Sequence, residues 1–373
     1  MKSILLIAGT RPNFVKIAPL LRACSPARGL RPILVHTGQH FSPEMSDFLF
    51  RDLQIPEPDY HLGIQPGSHA QVTAAVMLRL EPVLEQCRPD TVVVVGDVNS
   101  SLAGALTAKK LLLPVAHVEA GLRSLDRRMP EEINRLAIDA ISDLLFTTEP
   151  AANQNLLREG VPAEKIHWVG NVMIDSLLSC RTMSERTGIL ERLKIQPKHY
   201  VLLTLHRPEN VDYPARLAAI WAALGHIGRE LPILFPVHPR TQARLTGLEP
   251  IPRLRCTEPL GYLDFLGLLA QAAVVLTDSG GIQEETTILN VPCLTLRDNT
   301  ERPVTITSGT NRLAGTTTTG IVQAWRELRQ QPVKMDSNVR PDKWDGLAAE
   351  RIAEILSRSS LISNGGKLSE AID

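Results

Sequence analysis

The chain has 373 residues, of which 43% are hydrophobic and 21% charged, and its formal net charge is zero. This length accommodates two domains with ordinary cores, and a neutral chain without a basic stripe is not expected to bind nucleic acid or an anionic membrane surface.

Its five cysteines are far apart and form no C-x-x-C pair. We therefore expect neither a disulfide framework nor a structural zinc site, and we expect a reducing, cytoplasmic environment. The apolar residues 4–8 are followed by Arg11-Pro12, too soon for a signal peptide or a membrane span, and predict a first β-strand.

Short apolar runs alternate along the chain with longer segments of helical period, which is typical of βα units around parallel sheets. The alternation occurs twice and predicts an α/β fold with two Rossmann-like, doubly wound domains. The predicted strands are residues 3–8, 32–36, 91–95, 114–118, 144–147 and 166–169 in the first half, and 200–205, 233–237, 254–257, 274–277 and 292–296 in the second.

We place an N-terminal domain at residues 1–173 and a second domain at residues 200–343. The polar, basic stretch 174–199, which contains Pro197, is predicted as the linker between them. Residues 344–358 predict a closing helix that can pack back across the domain boundary. The small, polar residues 359–373 are expected to be frayed.

Polar residues follow nearly every predicted strand, and in open α/β sheets ligands bind beyond the carboxyl ends of the strands. Structural roles alone would not concentrate carboxylates, cations and glycine turns there, so we expect a ligand cleft between the two domains. In the first half these residues include Arg11, Lys16, Gln39, His40, Asp97, Glu119, Glu131 and Glu132. In the second half they include His206, Arg207, His238, Ser279, Glu285 and Arg302.

The segment 273–285 leads from an apolar strand through Asp278-Ser279-Gly280-Gly281 into a helix. Free backbone N–H groups and the helix dipole meet at such a turn and favour an anion. The two glycines let a phosphate approach the backbone, and the hydroxyl of Ser279 adds a donor. A diphosphate is therefore the expected ligand, although a turn of this kind is often only a tight connection.

Each polar residue also has a structural interpretation. A glutamate at a helix start often complements the dipole, a charged group at a strand end often belongs to an ion pair, and a histidine is often a satisfied core residue. The helix-dipole alternative applies to Glu131 and Glu132, and the ion-pair alternative applies to Asp97. Arg11 and Arg302 have the alternative of being surface arginines, and His206 and His238 that of being core histidines.

A set of short motifs occurs in a fixed order along the chain. They are Gly9-Thr10-Arg11-Pro12 with Lys16, Thr37-Gly38-Gln39-His40, Gly96-Asp97, His117-Val118-Glu119-Ala120-Gly121-Leu122-Arg123, Pro130-Glu131-Glu132-Ile133-Asn134-Arg135, Leu205-His206-Arg207, His238-Pro239, Thr277 to Glu285, and Arg297 to Pro303. Up to about Ile355 the chain resembles the non-hydrolysing UDP-N-acetylglucosamine 2-epimerases, which interconvert UDP-GlcNAc and UDP-ManNAc. The resemblance implies a two-domain fold of the glycosyltransferase-B type with a UDP-sugar in the cleft, a homodimer, and no metal or nicotinamide cofactor.

The chemistry can be considered from the residues alone. The C2 proton of a sugar nucleotide is not adjacent to a carbonyl, so a carboxylate cannot remove it directly. Oxidation of a neighbouring carbon would require a dinucleotide, and no G-x-G-x-x-G follows any predicted strand. Elimination of UDP across C1–C2 and re-addition to the glycal needs acid–base groups and anion stabilisation, and the sequence contains both.

The resemblance also assigns roles to individual residues. Asp97, Glu119 and Glu131 become the acid–base carboxylates around C2, and His206 stands near the diphosphate and the sugar. A second, regulatory substrate site would use Gln39, His40, Arg207 and His238, but Phe41-Ser42-Pro43 departs from the pattern of that site. The residues implied to bind UDP and the sugar are Arg11, Lys16, Phe265, Ser279, Gly280, Gly281, Glu285 for the ribose, and Arg302.

Other functions stay open at this point. A hydrolysing epimerase would release ManNAc and UDP, and a related branch of the family acts on UDP-diacetamido-uronic acids. A retaining glycosyltransferase of the same fold would need an acceptor groove and has less use for three carboxylates. A non-catalytic nucleotide-sugar binding protein would bind UDP without turnover.

Overall fold

The computed structural model describes residues 1–38, 43–237, 239–330 and 340–359. The chain forms two compact units: Met1–Ser176 with the described residues from Asp342 onward, and Leu177–Pro341. The chain passes from the first unit to the second inside a helix, Val172–Glu185. Within the described ranges, no helix is both long and apolar enough to cross a membrane.

Helices and strands alternate along most of the chain. From the N-terminus they are β1 (Lys2–Ala8), α1 (Arg11–Ala23), β2 (Leu30–His36), α2 (Pro43–Leu53), β3 (Tyr60–His61), α3 (His69–Cys87), β4 (Thr91–Val95), α4 (Asn99–Lys110), β5 (Val115–Ala120), α5 (Pro130–Ile141), β6 (Leu144–Thr147), α6 (Pro150–Arg158), β7 (Ile166–Trp168) and α7 (Val172–Glu185). They continue as α8 (Ile189–Leu193), β8 (Val201–Thr204), α9 (Pro208–Val211), α10 (Pro214–Glu230), β9 (Ile233–Pro236), α11 (Pro239–Arg244), β10 (Leu254–Thr257), α12 (Tyr262–Gln271), β11 (Val274–Thr277), α13 (Gly280–Leu289), β12 (Cys293–Thr295), α14 (Val304–Thr307), β13 (Asn311–Leu313), α15 (Thr318–Gln330) and α16 (Ala348–Arg358).

Each unit is built around one parallel sheet. In the described residues, the first sheet has the order β3-β2-β1-β4-β5-β6-β7 and the second β10-β9-β8-β11-β12-β13. Ile7 of β1 lies opposite Val94 of β4, and Leu203 of β8 lies opposite Leu276 of β11. In both sheets the strand order reverses at these pairs, which is the doubly wound topology with its ligand-binding crevice at the switch point.

The central strands consist of apolar residues because helices cover both faces of each sheet. All five residues of β4 are buried, as are all four of β11. Leu80 and Leu84 of α3 pack with Val92 and Val94 in the first core. In the second core, helices α10 and α15 supply the apolar residues Ile220, Leu224, Ile321 and Trp325. The predicted α/β fold with two Rossmann-like, doubly wound sheets is confirmed.

The structure differs from the predicted elements at the sheet edges and at the closing helix. Strands β3 and β13 have only two and three residues and lack an apolar run, so the sequence pattern did not indicate them. The helix expected from residue 344 begins at Ala348. Trp344 is instead buried outside the helix, where its indole N–H donates to the carbonyl of Thr148 at 3.0 Å.

The C-terminal helix α16 is held to the first unit at both ends. The Asp175 carboxylate accepts hydrogen bonds from the backbone N–H groups of Ala348 at 3.2 Å and Ala349 at 2.7 Å. At the other end the ammonium group of Lys2 donates to the carbonyl of Ser357 at 2.7 Å. An anion at the N-terminus and a cation at the C-terminus both complement the helix dipole.

Candidate functional site

The two sheets each end in a polar edge at the switch point. The first edge is defined as the residues after β1, β4 and β5 together with the start of α5. The second edge is defined as the residues after β8, β11 and β12.

In the first edge, Asn13 joins the ends of the two central strands. Its side-chain oxygen, Oδ1, accepts from the backbone N–H groups of Gly9 at 3.2 Å and Thr10 at 3.1 Å. Its side-chain nitrogen, Nδ2, donates to the backbone carbonyl of Val95 at 2.8 Å.

Glu119 and Lys16 form a buried ion pair in the first edge. Gly96, with φ +65°, lies directly against this pair: a Cβ atom there would be 3.2 Å from Glu119 Oε2 and 3.2 Å from Lys16 Nζ. A side chain at position 96 would therefore crowd the two charged groups, in a backbone conformation that favours glycine. Glu119 itself has φ +74°, at a register shift of β5 between Val118 and Ala120. A non-glycine residue in this conformation is strained and persists only where its surroundings enforce it.

A buried histidine–aspartate pair braces the turns around Glu119. His117 Nδ1 lies 2.6 Å from Asp139 Oδ1, and His117 Nε2 lies 3.1 Å from the carbonyl oxygen of Gly96. Asp139 also accepts from the N–H of Gly121 at 3.0 Å and pairs with Arg123 at 2.7 Å. Burial raises the pKa of Asp139, but His117 and Arg123 outweigh burial, so the pKa lies below its usual value. The backbone on both sides of Glu119 is thereby fixed.

Asp97 is tied to helix α5. Its carboxylate pairs with the buried Arg135, and its carbonyl oxygen accepts from the amide of Asn134 at 2.8 Å. Arg135 also contacts Glu132 at 2.8 Å. Glu132 is almost fully buried and accepts from the N–H groups of Ser124 and Leu125, both at 3.0 Å. Glu132 therefore has a structural role.

Glu131 differs from its neighbour. It lies in the first turn of α5, three and four residues before Asn134 and Arg135, and so shares their helix face, which contacts Asp97. Its side chain is partly exposed, and among the described residues it forms no hydrogen bond or ion pair. Of the two adjacent glutamates, Glu131 is the one that can reach a ligand. Arg11, the first residue of α1, is also partly exposed.

In the second edge, a fully buried aspartate organises the loop after β8. Asp278 accepts from the N–H groups of His206 at 3.1 Å and Arg207 at 2.9 Å and from the amide of Asn210 at 3.2 Å. Its Oδ1 lies 3.0 Å from His206 Nδ1. Burial raises the pKa of Asp278, but His206 and the hydrogen bonds outweigh it and lower the pKa to about 2. The His206 side chain is half-exposed, so the protein only partly removes water from it; this desolvation lowers the pKa, but Asp278 outweighs it and the pKa is raised.

Helix α13 begins directly after Asp278. Ser279 is the N-cap residue, and its hydroxyl makes no capping hydrogen bond, so it can donate to a ligand. Because the first N–H groups of a helix lack intrahelical partners, Gly280 and Gly281 present donors at the same point. A Cβ atom on Gly280 would lie 2.3 Å from Arg302 Nη1 and 2.7 Å from Glu301 Oε1. The glycine thus allows an arginine to approach the helix start.

Two further residues of the predicted UDP site are Glu285, on α13, and Phe265, on α12. The hydroxyl of Tyr262 donates to Glu285 Oε1 at 3.1 Å, and both side chains are buried. Phe265 is half-buried and follows Tyr262 by three residues on α12, so the two lie on one helix face. Tyr262 therefore joins α12, the helix that carries Phe265, to Glu285 of α13.

The structure thus brings most of the predicted residues into two groups. Gln39, His40 and His238 lie outside the described residues. Across the part of the chain that is described, no group of three His, Cys, Asp or Glu side chains is arranged to hold a metal ion. Six residues organise the edges although the sequence analysis assigned them no role. They are Asn13, Arg135, Asp139, Tyr262, Asp278 and Glu301. Arg135, Asp278 and Glu301 belong to the ordered motifs, which is the signal that could have found them.

Comparison with known proteins gives a consistent result. Residues 22–357 match the family model described as UDP-N-acetylglucosamine 2-epimerase. The chain is 42% identical over 363 residues to the UDP-N-acetylglucosamine 2-epimerase of Methanocaldococcus jannaschii, with 94% of this chain and 98% of the relative covered. It is 41% identical to the UDP-2,3-diacetamido-2,3-dideoxy-D-glucuronate 2-epimerase of Pseudomonas aeruginosa, with 95% and 99% covered.

Solved structures agree with this result. The chain is similar to the crystal structure of the Methanocaldococcus jannaschii UDP-GlcNAc 2-epimerase in complex with UDP-GlcNAc and UDP, with a TM-score of 0.89 and coverage of 96% of this chain and 100% of that one. A second similar structure is the UDP-GlcNAc 2-epimerase of Neisseria meningitidis bound to UDP-GlcNAc, with a TM-score of 0.88, 30% identity and coverage of 96% and 100%.

Proposed function

The chain belongs to the UDP-N-acetylglucosamine 2-epimerase family, and from this premise we propose that it interconverts UDP-N-acetylglucosamine and UDP-N-acetylmannosamine without hydrolysing them. The observation that carries the proposal is the first edge, where Asp97, Glu119 and the helix face of Glu131 meet at a switch point. Several carboxylates beside one ligand site suit acid–base work at a carbon that must lose and regain a proton.

The proposed reaction proceeds by elimination. As the C1–O bond breaks, positive charge at C1 acidifies the C2 proton, and a carboxylate of the first edge removes it. UDP and a 2-acetamidoglucal result. Protonation at C2 from the opposite face and re-addition of UDP at C1 give the epimer. Carboxylates on both faces of the sugar are required, which is the use we propose for Asp97, Glu119 and Glu131.

The second edge supplies the other requirement, stabilisation of the departing diphosphate. Ser279, Gly280 and Gly281 offer a hydroxyl and backbone N–H groups at the positive end of α13, and Arg302 adds a guanidinium. The pKa of His206 is raised, because Asp278 outweighs the partial desolvation of the imidazole, and this favours a cation at the second edge. We propose that Glu285 binds the ribose and that Phe265 lies along the uracil, and that Arg11 and Lys16 also contact UDP. A homodimer and a cytoplasmic location are further parts of this proposal.

The test is to incubate the purified protein with UDP-GlcNAc in D2O, without added metal or nucleotide cofactor, and to follow the sugar by NMR. We expect UDP-ManNAc with deuterium at C2, because a proton held by a carboxylate exchanges with solvent before it returns. Retention of the original hydrogen over many turnovers would exclude the elimination route. Release of free ManNAc with UDP would instead indicate a hydrolysing epimerase.

A second substrate deserves a parallel assay because the Pseudomonas aeruginosa relative is nearly as similar to this chain as the Methanocaldococcus jannaschii relative is. UDP-2,3-diacetamido-glucuronic acid differs from UDP-GlcNAc at C3 and C6 but undergoes the same inversion at C2. A higher kcat/KM for the uronic acid would assign that substrate to the chain and keep the mechanism. Transfer of the sugar to an added acceptor would favour a glycosyltransferase.

A further inference from the structure

Three arginines of the second unit converge on one buried carboxylate. Glu301 Oε2 lies 2.8 Å from Arg297 Nη2, and Glu301 Oε1 lies 3.6 Å from Arg207 Nη2 and also pairs with Arg302. Only 2% of the Glu301 side chain is exposed, and Arg297 and Arg302 are buried as well. Glu301 is therefore the carboxylate that all three arginines share, and without it their like charges would repel one another strongly in a buried environment.

This arginine cluster, defined as Arg207, Arg297, Arg302 and Glu301, abuts the start of α13. Both Arg302 and Glu301 lie close to Gly280, as the position of a hypothetical Cβ atom there shows. Arg207 Nε donates to the carbonyl of Asp278 at 2.9 Å, and Arg302 Nε lies 2.8 Å from Glu284 of α13. The cluster is thus tied to Asp278, which precedes the N-cap Ser279, and to Glu284 within α13.

The negative charge of Glu301 is unexpected beside a helix start that favours an anionic ligand. The helix start favours an anion, and a carboxylate beside it repels one. The Glu301 carboxylate offsets an unfavourable effect of burial on Arg297. Burial disfavours the charged guanidinium and lowers the pKa of Arg297, and Glu301 opposes this lowering. One nitrogen of Arg297, Nη1, is buried without a hydrogen-bond partner among the described residues. A buried donor of this kind is costly unless a ligand satisfies it.

We propose that Glu301 is a positioning residue that gathers Arg207, Arg297 and Arg302 beside the diphosphate site, and that its negative charge strengthens the binding of an anion. The inference rests on the proposed function, because it takes the diphosphate of UDP as that anion. Long arginine side chains have much rotamer freedom, and fixing them in advance lowers the entropy that binding must remove. The repulsion by one carboxylate is smaller than the gain from three oriented guanidinium groups.

The proposal and a pure charge effect predict opposite signs, which makes Glu301→Gln decisive. Removal of a carboxylate beside an anion site should tighten UDP binding if only charge matters. If Glu301 positions the arginines, the Kd for UDP should rise about tenfold or more, which is the size expected from losing one charge-assisted hydrogen bond. Calorimetric titration of the full chain with UDP and, separately, with uridine measures this. The uridine affinity should stay the same, because uridine lacks the diphosphate.

Glu209→Gln is the matched control. Glu209 lies 3.7 Å from Arg207 but is exposed, so its removal takes away a carboxylate without breaking the buried cluster. We expect a change in the UDP Kd of less than about twofold, as for surface ion pairs. If Glu301→Gln does not fold, as a thermal melt would show, Arg297→Lys replaces it. That change keeps the charge but loses the planar fork, and it should weaken UDP and spare uridine.

Tighter or unchanged UDP binding in folded Glu301→Gln, or an equal loss of UDP and uridine binding, would overturn the positioning role alone. A wild-type chain that binds no UDP would overturn the proposed function together with it. A wild-type chain that binds UDP but does not epimerise it would remove the proposed reaction. In that case weaker UDP binding by Glu301→Gln still supports the positioning role.

Discussion

The two edges have the same topology and opposite chemistry. In the first edge the groups proposed to react are carboxylates, and two of the three pair with a cation: Glu119 with Lys16, and Asp97 with Arg135. In the second edge the cations are held by carboxylates, as in the pair of His206 with Asp278. A doubly wound sheet therefore fixes where a site forms, but the partner of each charged side chain decides which charge a ligand meets.

The largest expected effect comes from the carboxylate that has no such partner. Glu131→Gln keeps the shape of the side chain but removes proton transfer, so turnover should fall by roughly 10²–10⁴. The melting temperature should be unchanged, because Glu131 forms no hydrogen bond or ion pair with any described residue. Steady-state rates and thermal melts on the same preparation measure both quantities.

The adjacent Glu132→Gln is the control for this prediction. Glu132 is buried against Arg135, Ser124 and Leu125, so its neutralisation should lower the melting temperature clearly. If Glu131→Gln turns over like the wild type while Glu132→Gln loses its activity without unfolding, the assignment of the two glutamates is reversed.

The second prediction concerns the buried pair of the first edge. Lys16→Met leaves the Glu119 carboxylate buried without its ammonium, and breaking such a pair typically costs about 3–5 kcal/mol of unfolding free energy. The double variant Lys16→Met/Glu119→Gln should recover a large part of that loss. Urea denaturation of the two single variants and the double variant forms a complete cycle. Additive losses would mean that the two groups do not interact in the folded protein.

The third prediction tests the helix start in the second edge. Ser279→Ala removes a donor to a charged acceptor, which should weaken UDP binding by about 1.5–3 kcal/mol. Stability should change little, because the hydroxyl of Ser279 makes no capping hydrogen bond. Titration with UDP measures the change, and Arg11→Ala provides the same measurement for the first edge. Normal UDP affinity in both variants would place the diphosphate elsewhere.

The sequence predicted the central strands well, for a physical reason. Strands such as β4 and β11 are buried on both faces and are therefore uninterrupted apolar runs, and their predicted bounds, 91–95 and 274–277, agree with the structure. The short edge strand β3 is half-exposed and has no such run. Since ligand sites follow the central strands, the site positions could be predicted together with them.

The pairing of side chains within each edge could not be read from the sequence. Glu131 and Glu132 are neighbours of identical chemistry at one helix start. The rotation of α5 about its axis, set by packing, turns Glu132 towards Ser124 and leaves Glu131 partly exposed. In the same way, nothing in the local sequence shows that Asp278 folds back onto His206, 72 residues earlier. Such contacts depend on tertiary structure.

The smallest expected effect is the pH dependence of the His206–Asp278 pair. The folded pKa of His206 is raised above 6.5, because Asp278 outweighs the partial desolvation of this half-exposed side chain. Its contribution to stability is therefore complete below pH 6.5 and is lost as the pH rises through the folded pKa. The pKa of Asp278 is lowered from 3.8 to about 2, with His206 and hydrogen bonds outweighing burial. Its contribution is present above pH 3.8 and is lost as the pH falls towards 2.

Thermal melts of the unliganded full chain between pH 2 and 8.5 test this sign. The wild type should lose stability on the alkaline side, and His206→Gln should remove that slope because glutamine does not titrate. The change should be modest, because the His206 side chain is half-exposed and water screens the pair. Asp278 keeps its hydrogen bonds from the N–H of Arg207 and the amide of Asn210 in this variant, so an acid-side loss should remain. Equal alkaline slopes in both proteins would show that Asp278 organises the loop through the backbone alone.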